Sequence, residues 1–174
     1  MLSFRRATLD DVPALHPLVE GAYRGEASRA GWTTEADFLE GQRTDTEELT
    51  SLVRGPSTRL LLAHRDGELV GCVLLREETG CAYLGMLSVR PDLQSAGVGR
   101  ALLEEAERVA RVDLARPEMR MRVIGLRDTL LRWYERRGYK LTGEREPFPY
   151  EEPRAGRPKR DDLDFVVLRK SLVT

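Results

Sequence analysis

Leu87-Ser88-Val89-Arg90-Pro91-Asp92-Leu93-Gln94-Ser95-Ala96-Gly97-Val98-Gly99-Arg100-Ala101-Leu102-Leu103 is the stretch on which the reading of this chain turns. An apolar run enters it, Pro91 ends that run, and two glycines free the backbone just before a helical pattern begins. Successive amide N–H groups in such a turn point into one concavity, and the helix end adds partial positive charge; together they suit a phosphate. The segment lacks the Lys-Ser/Thr of a Walker loop and the third glycine of a dinucleotide fingerprint. Taken alone, Gly97 and Gly99 are better read as permitting tight helix entry or close packing.

Working outward, compact apolar runs at 58–64, 68–75 and 81–89 are separated by Asp66-Gly67 and by a turn at 77–80, which predicts an antiparallel meander. Downstream, Val98, Leu102, Leu103, Ala106, Val109 and Ala110 share one face of a helix over 98–111, with Glu104/Arg108 and Glu107/Arg111 spaced as ion pairs on the other. A strand over 118–124, a helix over 128–137 capped by Gly138, and strands over 139–145 and 163–172 complete this half. In the other half, a strand over 2–6 leads through the capping-box-like Thr8-Leu9-Asp10-Asp11 into a helix reaching Tyr23. Thr33-Thr34-Glu35 is a helix-start signal, and a further helix begins near Asp45 and stops at Gly55-Pro56. The order β-α-α-β-β-β-α-β-α-β-β predicts one α/β (α+β) domain over 1–174, a mixed, mostly antiparallel sheet flanked by helices. The Pro- and charge-rich loop over 146–162 is longer than most loops, and such loops are more often functional or mobile than idle.

The 174 residues carry 28 Lys and Arg against 29 Asp and Glu, a formal net charge of -1. No global positive field therefore exists to hold a nucleic-acid backbone. The basic cluster from Arg154 to Arg160 is flanked by Glu151, Glu152, Asp161 and Asp162 and reads as a solvated loop. No unbroken apolar run reaches membrane-spanning length, and the first residues lack a signal-peptide core, so a cytoplasmic protein with no membrane partner is expected. Cys72 and Cys81 form no CxxC pair, and neither has metal-ligand neighbours. A turn centred on 77–80 would put Cys72 opposite residue 83 or 84, so no disulfide is expected. His16 and His64 are given no role.

In its context, Gln94-x-x-Gly97-x-Gly99 before Arg100-Ala101-Leu102-Leu103 resembles the acetyl-coenzyme A signature of the GCN5-related N-acetyltransferase (GNAT) superfamily. Leu131-Arg132-Trp133-Tyr134-Glu135-Arg136-Arg137-Gly138-Tyr139 is similar to a second motif of that family, and the element order fits its fold almost throughout. The resemblance implies that the amides of Gln94, Ser95, Ala96, Gly97, Val98 and Gly99, with Arg100, hold the coenzyme pyrophosphate. It implies that Leu87, Ser88 and Val89 pair with the pantetheine arm as an added strand would. In such folds two central strands splay to admit that arm, often at a bulge, which Gly85 would permit. The amide of Leu87 would face the carbonyl oxygen of the thioester, and Tyr134 would give the leaving thiolate its proton.

Two positions depart from the family pattern. Arg127 stands where many members have Asn, and reads as a solvated surface side chain. Leu84 occupies the usual place of an acidic base, leaving Glu20, Glu26 and Tyr83 as weak candidates. The resemblance places the acceptor among the first helices, their connecting loop and the loop before the last strand, which hold Tyr23, Arg24, Glu26, Trp32, Arg43, Phe148 and Tyr150. Of these, Tyr23, Glu26, Trp32 and Phe148 are the expected substrate-binding residues. The expected activity is direct acetyl transfer to a primary amine of a small molecule. A protein N-terminus or lysine as acceptor, and an acyl-coenzyme A sensor without turnover, are the alternatives. The family also makes a homodimer an option.

Overall fold

The computed structural model describes residues 1–173. The chain runs β1 (Leu2–Arg6), α1 (Val12–Tyr23), β2 (Leu39–Glu40), α2 (Thr46–Arg54), β3 (Thr58–Arg65), β4 (Glu68–Glu78), β5 (Cys81–Val89), α3 (Val98–Arg108), β6 (Glu118–Ile124), α4 (Asp128–Glu135), β7 (Lys140–Pro147), β8 (Arg157–Pro158) and β9 (Asp164–Ser171). Seven strands form one sheet in the order β1-β3-β4-β5-β6-β9-β7, while β2 and β8 form a separate ribbon. Neighbours pair antiparallel except β5 and β6, which are parallel and joined through α3.

The continuous apolar runs of β3 and β4 follow from burial on both faces. Leu61, Ala63, Val73 and Leu75 pack with Leu102, Leu103 and Ala106 of α3, whereas the alternating Leu60, Leu62, Cys72 and Leu74 pack with Leu15, Val19 and Leu49 of α1 and α2. Gly71 lets α3 approach: a Cβ there would lie 2.9 Å from the Ser88 carbonyl oxygen and 3.3 Å from Leu102 Cδ2. The predicted order of helices and long strands is present, with β6 at the predicted bounds.

Several local expectations are corrected. Glu77 and Glu78 extend β4, and Thr79-Gly80 makes a two-residue turn with Gly80 at φ 77°. With a bulge further along, Cys72 therefore stands opposite Ser88, not residue 83 or 84; both cysteines are free, as expected. The α-helical spacing of α3 ends at Arg108 and widens into a π-turn over Val109–Asp113. Within α3, Arg108 pairs with Glu105 and Arg100 with Glu104 in place of the expected Glu104/Arg108 pair, while Glu107 receives Tyr139 Oη and Lys170 Nζ, each at 2.9 Å. No helix starts at Thr33. The Thr34 hydroxyl accepts from the Ala36 amide, the chain turns, and Leu39–Glu40 pairs with Arg157–Pro158 of the long loop.

Candidate active site

The site begins where the sheet opens. β5 and β6 pair only at Ala82↔Met119 and Tyr83↔Arg120, then diverge, while β6 keeps its register with β9 to Ile124↔Phe165. The other edge of β5 breaks too: its pairing with β4 jumps from Leu74↔Gly85 to Cys72↔Ser88. The bulge sits one residue later than expected. It falls on Met86 at φ 54°, whose carbonyl oxygen accepts from the buried Ser88 hydroxyl at 3.0 Å. Gly85 still has a steric role, since a Cβ there would lie 2.9 Å from the Tyr83 ring. Met86 and Leu87 thereby drop out of the β4 ladder, on the edge of β5 opposite the split.

Two adjoining cavities occupy the opening. The larger, about 170 Å³, lies between Leu84 to Leu87 and Met121 to Ile124, with Phe148 and Arg43 in its walls. The smaller, about 50 Å³, lies toward Val89, Gln94 and Gly99 and is walled by Trp32 and Trp133. Tyr23, Leu87, Arg127, Leu130 and Tyr134 line both, so these five residues mark the junction.

Next to the smaller cavity, Gly97 caps α3 in the left-handed region at φ 83°, and a Cβ built there meets nothing within 4 Å. The amides of Val98, Gly99 and Arg100 form the first turn of α3 and, with that of Gly97, meet no protein acceptor among the described residues. Gln94 Oε1 is buried and unpartnered, while its Nε2 donates to the Val89 carbonyl. Donors converging on an open cradle at a helix N-terminus fit a pyrophosphate. Ser95 and Ala96 are exposed on the same turn, and the exposed Arg100 guanidinium pairs with Glu104 at 3.0 Å.

Tyr134 projects from α4 into the junction because the apolar face of that helix, Leu131 and Tyr134, packs on the sheet. Trp133 and Tyr139 hold its ring edge-on at 5.1 and 5.7 Å. Its hydroxyl has no hydrogen-bond partner among the described residues, and burial pushes its pKa well above the usual phenol range. Burial likewise raises Tyr23, to about 12, against the opposing pull of Arg43.

The structure brings Tyr23, Trp32 and Phe148 to the two cavities and leaves Glu26 out. The Glu26 side chain is 91% exposed, pairs with Arg29 and lies beyond both cavities. Glu20 is also elsewhere, accepting from the amides of Arg43 and Thr44 at 2.6 and 2.7 Å. Arg127 is not the solvated side chain read from sequence: it is buried, donates to Thr33 Oγ1 at 2.7 Å and pairs with Glu35 at 3.1 Å. Glu35, unremarked in the sequence beyond its helix-start signal, is the one carboxylate lining the larger cavity among the described residues. Arg24 holds its Oε1 and Arg127 its Oε2. No sequence pattern signals this arrangement, because Arg127 lies 92 positions from its partner. No metal-binding cluster and no helix long and apolar enough to cross a membrane occur among the described residues.

Comparison with known proteins agrees with this geometry. Residues 56–141 match the family model described as an acetyltransferase (GNAT) domain. No curated protein sequence matches the chain. Among solved structures, the chain is similar to PaiA N-acetyltransferase from Thermoplasma acidophilum in complex with coenzyme A, at TM-score 0.71 and 19% identity over 98% of this chain and 99% of that one. It is similar to the ribosomal-protein-S18-alanine N-acetyltransferase from Escherichia coli, at TM-score 0.70 and 17% identity over 100% and 96%. A spermidine N-acetyltransferase chimera whose sources include Vibrio cholerae gives TM-score 0.71 and 17% identity over 98% and 95%. Residues 56–141, which contain both the split sheet and the glycine cradle, are thus a GNAT acetyltransferase domain, of a family whose cosubstrate is acetyl-coenzyme A.

Proposed function

We propose that this protein transfers an acetyl group directly from acetyl-coenzyme A to the primary amine of a small molecule, with the amine in the larger cavity and the coenzyme in the smaller. The observation that carries the reading is the junction of the two cavities at Leu87 and Tyr134. The coenzyme supplies an activated acetyl thioester. The free amides of Gly97, Val98, Gly99 and Arg100 hold its pyrophosphate, those of Gln94 and Ala96 being spent on the Pro91 and Leu93 carbonyls, and the backbone of Leu87, Ser88 and Val89 aligns its pantetheine arm by strand-like pairing. The Leu87 amide, freed by the Met86 bulge, donates to the carbonyl oxygen as negative charge develops there. The amine, entering as its free base, forms the C–N bond as the C–S bond breaks; Tyr134, kept protonated by burial, donates its hydroxyl proton to the departing sulfur, and the proton shed by the acylated nitrogen restores the phenol.

A small acceptor is favoured over a protein one by the long loop. A protein N-terminus or lysine would need an open groove, yet Phe148, Pro149, Arg154 and Ala155 of the long loop wall the larger cavity, and the loop is tied down. Lys159 N donates to the Phe38 carbonyl at 2.8 Å, Lys159 Nζ to the Ala36 carbonyl at 2.7 Å, and Arg24 to the Ala155 carbonyl at 3.3 Å. Thiol release from acetyl-coenzyme A, screened over small amines and over short peptides with free N-termini or lysines, tests the reading. Release with small amines alone is the expected result. Release with peptides alone would reverse the choice of acceptor, and coenzyme binding without release would point to a sensor.

A further inference from the structure

Three guanidinium groups, of Arg24, Arg43 and Arg127, reach the larger cavity against one carboxylate, that of Glu35. Arg24 and Arg127 share that carboxylate. Arg43 has no ion-pair or hydrogen-bond partner for its side chain among the described residues. Its guanidinium lies over the Tyr23 ring, 5.0 Å from the centroid, and that of Arg127 lies 5.8 Å from the same centroid. Other acids near Arg43 do not touch its guanidinium: Glu20 accepts from the amides of Arg43 and Thr44, and Glu48 from the Thr44 hydroxyl at 2.8 Å. The remaining wall arginines, Arg122 and Arg154, pair outward with Glu146 and with Asp45 and Glu47. The side chains that line the cavity thus carry more guanidinium than carboxylate, with Glu35 and Glu48 adding to the field at Arg43 without touching it, and the long loop forms one wall. A guanidinium partly removed from water gains most from a planar anion that it can bind with two N–H groups. A cationic polyamine would meet like charge there and lose its hydration without compensation.

Resting on the acetyl-transfer reading above, we propose that the acceptor is an amine that also carries an acid group, an amino acid or its phosphonate counterpart, and that Arg43 binds the acid. Tyr23, at the junction and beneath the Arg43 guanidinium, positions the acceptor so that its amine faces Leu87 and Tyr134 while its anion faces Arg43. Glu35 orders Arg24 and Arg127, leaving Arg43 as the group open to a ligand.

The test measures thiol release from acetyl-coenzyme A with matched amines. Glycine, L-methionine, L-glutamate and 2-aminoethylphosphonate form one arm; glycinamide, L-methioninamide, ethanolamine and spermidine form the other. Acid-bearing amines are expected to exceed their neutral counterparts at least tenfold in kcat/KM, and the carboxylate and phosphonate members separate the two acid types. Arg43→Gln should lower kcat/KM at least tenfold for acid-bearing amines, mainly through KM, and less than threefold for neutral ones, with Arg43→Lys in between. Equal or better use of neutral amines, or an equal loss for both sets in Arg43→Gln, would overturn the proposal. If no amine is turned over, acetyl transfer to small amines fails, and binding decides the acid site. A shift in Tm by the acid set in coenzyme-loaded wild type, absent in Arg43→Gln, supports it; the same response in both proteins overturns it.

Discussion

Arg127 donates to Glu35 Oε2 at 3.1 Å, while Arg24 donates to Oε1 of the same carboxylate at 3.1 and 3.2 Å. This bridge ties the start of α4, which carries Tyr134, to the segment after α1. Removing the carboxylate leaves two buried guanidinium groups facing each other. Glu35→Gln is expected to destabilise the protein by about 3 kcal/mol in urea unfolding, and a loss below about 1 kcal/mol would show that the bridge is not holding α4.

Tyr134→Phe retains the ring that packs between Trp133 and Tyr139 and deletes only the hydroxyl. The expected result is a fall in kcat of about 100-fold with little change in the KM of acetyl-coenzyme A. Because burial raises the pKa of Tyr134, its proton is held as pH rises, so no alkaline loss of wild-type kcat from this group should appear up to about pH 10. Unchanged kcat in the variant would remove Tyr134 from the reaction.

At Gly97, the left-handed φ of 83° and the open space over the Cβ position separate strain from blockage. Gly97→Ala should cost about 1 kcal/mol of stability and leave coenzyme A binding measurable. Gly97→Glu puts a carboxylate where the pyrophosphate is proposed to lie and should abolish binding in calorimetry while the protein remains folded. Binding equal to that of Gly97→Ala would place the phosphates elsewhere.

The strand and helix order was legible in the sequence because the signals are local: period-two runs with turns at Asp66-Gly67, a 3.6-residue stripe from Val98, and a glycine after the helix ending near Arg137. The bulge was displaced from Gly85 to Met86 because its position depends on pairing with β4, which no residue type announces. Arg127 was misread for a related reason. A charged side chain is ordinarily solvated, and what buries this one is a carboxylate brought in by tertiary folding. Glu26 failed in the opposite sense: its loop faces the site, but its side chain turns toward Arg29 and solvent. The two-residue ribbon between β2 and β8 is too short to carry any sequence pattern, yet it ties down the long loop that walls the cavity.

Away from the site, Arg5 grips Asp11 at 2.6 Å, and that hydrogen bond holds the Asp11 pKa down at about 2. A depressed carboxylate contributes stability above its unfolded pKa, near 4, and loses it as pH falls toward 2. Arg5→Gln should therefore destabilise by on the order of 1 kcal/mol at pH 7, allowing for the exposure of Arg5. The gap from wild type should narrow below about pH 4. A gap independent of pH would assign the effect to packing.

A crystal structure of the protein with acetyl-coenzyme A tests the central claim most directly, since it locates the thioester relative to the junction of the two cavities. The account predicts the carbonyl oxygen within hydrogen-bond reach of the Leu87 amide, about 3 Å, the sulfur beside the Tyr134 hydroxyl, and the pyrophosphate on the amides of 97–100. A thioester lying outside the split between β5 and β6, or away from both Leu87 and Tyr134, would contradict it.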